Sequence, residues 1–115
     1  MKKKNILKEC RDFNRIIQNS KPFKYKDYFI YLERCNNNDY KFGLSVGKKV
    51  GNAVTRNKVK RQLRNIIDQK VYQNNFNCII IVSKGVLNKT FDEMKSNLYQ
   101  AFKTLNILKE DINEE

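Results

Sequence analysis

Lys48, Lys49, Arg56, Lys58, Lys60, Arg61 and Arg64 fall within one stretch, KKVGNAVTRNKVKRQLR, that holds no acidic residue. No Asp or Glu occurs anywhere between Asp39 and Asp68. Cations of one sign at this density are phosphate-binding chemistry. Ammonium groups act as point charges, and guanidinium forks match two phosphate oxygens at once. A merely solvated face interleaves both signs. The same stretch carries Val54, Val59 and Leu63, so it is patterned to fold and is not a plain basic tail. Its VGKKVGNAV segment has the strand-loop-helix layout of a phosphate loop but lacks GxxxxGK[ST], which argues against a nucleotide pocket.

Other reactive side chains are scarce. Histidine is absent. That removes a Ser-His-Asp triad, a Cys-His pair, a histidine general base and histidine metal ligands. A two-metal nuclease needs clustered carboxylates, and none sits beside the basic stretch. Asp12 and Asp39 read as lone surface acids. The three cysteines, Cys10, Cys35 and Cys78, are widely spaced and form no CxxC. They read as small buried thiols, not as a disulfide framework or zinc site. Phe13 and Ile17, with Phe29 and Tyr31, could line an open face on which bases of a single strand stack. From the residues alone, the reading as core is the favoured one.

These residues need a scaffold, and 115 residues supply one domain, 1–115. Hydrophobic residues make up 40% of the chain, which suits a packed core and not a disordered segment. The net charge of +12 is large for a small domain. It points to a polyanionic partner, nucleic acid first and an anionic membrane second. No signal-peptide run or spanning segment is present, so a soluble, cytoplasmic protein without a membrane partner is expected.

Ile6, Cys10, Phe13 and Ile17 recur at helical spacing, and Ser20 and Pro22 end that helix. Residues 25–35 are aromatic and β-branched and read as a strand with two apolar faces. The polar NNND follows, then YKFGLSVG with strict alternation. The two strands are expected to form an antiparallel hairpin. Val59, Leu63, Ile66 and Ile67 make one face of a helix started at Gly51 and Asn52, with Asn57, Lys60, Arg61 and Arg64 on the opposite arc. CIIIV reads as a buried strand. Thr90 and Glu93 make a capping-box pattern ahead of a second stripe, Phe91 to Leu105. Residues 110–115 form an acidic tail expected to fray. The fold class is α+β, a small mixed β-sheet packed with helices in the order α-β-β-β-α-β-α. The strand ending at Val46 and the strand 78–82, joined by a helix, could be parallel.

Residues 43–64, GLSVGKKVGNAVTRNKVKRQLR, closely resemble the signature of the bacterial ribonuclease P protein subunit. That family has a GLSV-x-KK strand end, then GNAV-x-RN, then a basic helix. The family's Arg-Asn-Arg triplet reads Arg56, Asn57, Lys58 here. RDFNRII resembles the family's first helix, YFIYL its cleft strand and IIIVSKG its last strand, so the likeness spans residues 7–105. It implies a left-handed βαβ crossover, as in the ribosomal protein S5 domain 2-like fold. It also implies an RNA-binding subunit that assists a catalytic RNA in cutting the 5′ leader from precursor tRNA. The active site and its Mg²⁺ would belong to that RNA, and this chain would hold no catalytic or metal residue. By position, Lys48, Lys49, Asn52, Arg56, Asn57, Lys58, Lys60, Arg61 and Arg64 would bind RNA. Phe13, Ile17 and Tyr31 would line the leader cleft, with Phe13 and Tyr31 beside Lys60 or Arg64. A structural or ribosomal RNA-binding protein and a free-standing nuclease are the rival readings.

Overall fold

The computed structural model describes residues 1–109; the tail expected at 110–115 lies outside them. A 3₁₀ turn, Lys3–Asn5, precedes α1, Cys10–Asn19. Strands β1, Phe23–Tyr25, β2, Tyr28–Arg34, and β3, Tyr40–Val46, come next. Then follow α2, Ala53–Asp68, β4, Phe76–Val82, a 3₁₀ turn, Lys84–Asn88, and α3, Phe91–Leu105. The fold is α+β, with three helices around a four-stranded mixed sheet ordered β1-β2-β4-β3.

The expected hairpin between the second and third strands does not form. β4 lies between them, antiparallel to β2 and parallel to β3. FNCIIIV is apolar on both faces, so the central position buries most of it, and all but Ile81 of its residues are buried. The NNND segment therefore spans β4 instead of turning back on β2. Asn75, just ahead of β4, fastens it: its Oδ1 accepts from Asn38 N–H at 2.8 Å and its own N–H donates to Asp39 O. The single strand expected over 25–35 is instead two. Lys26 has φ of 54°, and a tight turn at Lys26 and Asp27 pairs Tyr25 with Tyr28.

The pleat separates the sheet into two faces. Tyr28, Ile30, Phe42, Phe76, Cys78 and Ile80 point to the major core. There they meet Val59, Leu63, Ile66 and Ile67 of α2 and Met94, Leu98, Ala101 and Phe102 of α3, all buried. The helical stripes read from the sequence are thus the core stripes. Val54 is not part of them; it is 79% exposed on the first turn of α2.

The opposite face carries a second cluster, Leu7, Ile16 and Ile79, with Phe13, Ile17, Tyr31 and Ile81 against it. α1 lies here, but it starts later than expected. Ile6 is extended and bridges to Phe42, and Leu7 N–H donates to Phe42 O at 2.9 Å. This covers the outer edge of β3. The buried residue of α1 is Ile16, not Cys10, which is exposed. The working stripe is Phe13, Ile16 and Ile17, at i, i+3 and i+4. Of the three thiols only Cys78 is buried, and burial pushes its pKa up; Cys35 is half-buried.

The acids expected to be lone are engaged. Asp12 accepts from Arg15 Nη1 at 2.6 Å. Asp39 accepts from Tyr40 N–H at 2.9 Å and Asn5 Nδ2 at 2.8 Å, which hold its carboxyl below the usual range. Asn5 is itself buried and ties the N-terminal segment to β3 through Tyr40 O.

Candidate nucleic-acid interface

The basic segment begins where β3 leaves the sheet. Lys48 and Lys49 stand exposed on a turn closed by Val50 N–H donating to Gly47 O at 3.0 Å. Buried Val50 pegs that turn to the core. Asn52 caps α2: its Oδ1 accepts from Thr55 N–H at 2.9 Å, satisfying one free donor of the first turn. From Asn52 to Arg64 the helix rises about 18 Å at 1.5 Å per residue.

Along that length Val59 and Leu63 are buried in the major core, which fixes the roll of the helix. Asn57, Lys58, Arg61 and Arg64 are therefore exposed, and Lys60 and Arg56 are half-buried. Arg56 Nε is shielded and has no partner. Among the described residues, every ion pair lies elsewhere, on Met1, Lys4, Arg15 and Lys89. The cations of residues 48–64 thus carry unneutralised charge. Buried helix residues below and free cations above make a rigid ridge of positive potential.

On the other side of the sheet, Phe13, Ile17 and Tyr31 are brought together as expected from the sequence, each half-buried. Tyr31 pairs across the sheet with Ile79, and Ile79 with Gly43. The Phe13 ring packs onto Gly43, where a Cβ would lie 2.5 Å from Cζ. Arg15 ties α1 to β2 through Glu33, with Nη2 donating at 2.9 Å and Nε at 3.3 Å. Asn77 Nδ2 also donates to Glu33 at 2.8 Å. These bonds, Arg15's foremost, hold the Glu33 carboxyl below its usual range.

The two sets are anchored on different faces: α2 packs on the major core and α1 on the opposite side of the sheet. Lys24 of β1 reaches the aromatic face, with its Nζ 5.4 Å from the centroid of the Phe29 ring. Sequence reasoning also missed Ile79, Ile81 and Gly43. Alternation along CIIIV put Ile79 and Ile81 on one face, but which face needed the pairing partners of β4.

No group of three or more His, Cys, Asp or Glu among the described residues could hold a metal ion. No described helix is long and apolar enough to cross a membrane.

A one-signed helical ridge and a half-open aromatic face on a small mixed sheet define an α+β protein of the nucleic-acid-binding class. The sequence model of the ribonuclease P family matches residues 1–106. The ribonuclease P protein component of Listeria welshimeri is 36% identical over 98% of both chains. That of Mycoplasma mycoides is 37% identical over 91% of this chain and 99% of its own. The solved ribonuclease P protein of Staphylococcus aureus superposes with a TM-score of 0.79 at 26% identity, covering 91% of this chain and 98% of that one. The chain belongs to the ribonuclease P protein family, as the protein subunit of a tRNA-processing ribonucleoprotein enzyme whose partner is RNA.

Proposed function

We propose that the two faces divide the work of the holoenzyme. The α2 ridge, with Lys48, Lys49, Asn52, Arg56, Asn57, Lys58, Lys60, Arg61 and Arg64, binds the catalytic RNA. The α1 face, with Phe13, Ile17 and Tyr31, holds the single-stranded 5′ leader of precursor tRNA. The observation that carries this reading is that the cations of residues 48–64 make no ion pair among the described residues, on a helix whose Val59, Leu63, Ile66 and Ile67 are buried. Phosphates satisfy that ridge directly, and release of their counterions drives association. The half-buried rings opposite suit unstacked bases, which only a single strand offers.

In this reading Mg²⁺ is held by the RNA, which carries out the bond-breaking step. This chain positions substrate and screens phosphate charge. The working compartment is the cytoplasm, where precursor tRNA is made. Reconstitution with a catalytic RNA and precursor tRNA tests the reading. The protein lowers the Mg²⁺ concentration needed for leader removal, and protein free of RNA cleaves nothing. Sustained cleavage by the protein alone would overturn the division of labour.

A further inference from the structure

The aromatic face does not end at Tyr31. Phe29 lies two residues before it on β2, on the same side of the sheet. Phe29 pairs with Ile81 on one side and with Lys24 of β1 on the other, and Ile81 pairs with Ser45. The row Lys24–Phe29–Ile81–Ser45 thus crosses all four strands. Each of its members is half-buried or exposed, whereas Ile79 in the adjacent row is fully buried. At the α1 end of the face the one guanidinium, Arg15, is already spent on Asp12 and Glu33. At the Phe29 end Lys24 Nζ is held only over an aromatic ring, 5.4 Å from its centroid, and makes no ion pair among the described residues.

We infer that Phe29 and Lys24 form a further seat for one nucleotide of the single strand, beyond the one at Tyr31. The Phe29 ring stacks the base and the Lys24 ammonium takes the adjoining phosphate. This deepens the leader-cleft reading and rests on it. Positions i and i+2 of a strand lie about 6.6–6.8 Å apart. That is twice the 3.4 Å rise of a stacked strand. Neighbouring nucleotides on the two rings are therefore splayed apart, each on its own platform, which is how proteins hold single strands. Lys24 is the cation seated against a ring of this face; Lys41, in the row with Asn77 and Glu33, lies on the same face and likewise makes no ion pair among the described residues.

The test uses the reconstituted holoenzyme and precursor tRNAs whose leaders are lengthened one nucleotide at a time. Affinity relative to mature tRNA is measured for wild type, Phe29→Leu, Lys24→Gln and Tyr31→Ala. Phe29→Leu keeps apolar volume while removing the ring, and Lys24 is an exposed side chain, so both variants fold. Phe29→Leu loses about 5- to 150-fold in affinity, the equivalent of ~1–3 kcal/mol for one stacked base. The loss appears only once the leader exceeds the length that Tyr31 reads. Lys24→Gln lowers the salt slope by about 0.7 for those same long leaders and leaves short ones unchanged. If Tyr31→Ala loses leader-dependent affinity and the Phe29 and Lys24 variants match wild type at every length, the cleft stands and the further seat is overturned. If none of the three changes the length dependence, the cleft itself is wrong.

Discussion

Phe13 rests its ring on the bare backbone of Gly43. A Cβ at position 43 would come within 2.5 Å of Cζ and 3.0 Å of Cε2. The only side of Gly43 open to a side chain is thus filled by α1, and the sheet has no bulk there to hold the helix off. This closeness sets how near α1 lies to the sheet. Gly43→Ala lifts the Phe13 ring. Because Phe13 is half-buried, the ring can swing, so stability falls by only about 1 kcal/mol. Leader-dependent affinity falls several-fold more than stability explains. Denaturant melts beside precursor and mature tRNA titrations separate the two effects.

The two sides of α2 respond oppositely to mutation. Arg61 and Arg64 are exposed and unpaired among the described residues, so Arg61→Ala or Arg64→Ala changes stability by less than about 0.5 kcal/mol. Each lowers the log–log salt slope of RNA binding by about 0.7–0.9, one phosphate contact. Leu63 is fully buried, and Leu63→Ala costs about 2–5 kcal/mol while leaving the slope of the folded fraction unchanged. Titrations at several salt concentrations, beside thermal melts, read both. An unchanged slope in both arginine variants would move the RNA-binding face elsewhere.

Both long helices were legible because each carries a stripe committed to one core. Val59, Leu63, Ile66 and Ile67, and Met94, Leu98, Ala101 and Phe102, are read and found alike. The strands were legible one by one, but their order was not. Alternation in YKFGLSVG says which residues share a face, yet it carries no information on the partner, and a short polar link suggested the nearest one. β4 displaced that pairing because its two apolar faces gain most from the centre. The site divides in the same way. The cationic arc of α2 follows from periodicity alone. The aromatic face depends on which strands flank β4, so its contact with Lys24 appeared only with the sheet assembled.

Glu33 makes α1 docking sensitive to acid. Hydrogen bonds from Arg15, then Asn77, lower its pKa on folding, against burial that acts to raise it. The folded state therefore binds fewer protons at this group than the unfolded chain does. Its stabilisation is fully present above the unfolded value of about 4.3 and drains away as pH falls through the lower folded value. Glu33→Gln costs up to about 1 kcal/mol near neutral pH, since the pair is partly exposed. It also flattens the loss of stability on acidification. Some dependence persists, because Asp39 and Glu93 are shifted down as well. Melting temperatures of wild type and variant should converge between about pH 5 and pH 3; parallel curves would remove Glu33 from the account.

Tyr31 is the ring best placed to report on the leader itself. It sits on the strand floor beside Ile79, with α1 and its Phe13 and Ile17 forming the wall. Its neighbour Ile79 is fully buried, so the floor is rigid, while Tyr31 remains half-exposed. A base stacked there is worth about 1–3 kcal/mol. Tyr31→Ala should weaken precursor tRNA binding to the holoenzyme by that amount and leave mature tRNA, which has no leader, nearly unaffected. Tyr31→Phe keeps the stacking surface and should restore the preference for precursor. The measured quantity is the ratio of the two affinities. A ratio that stays constant across wild type, Ala and Phe would return Tyr31 to a packing role and leave the α2 ridge as the one functional surface.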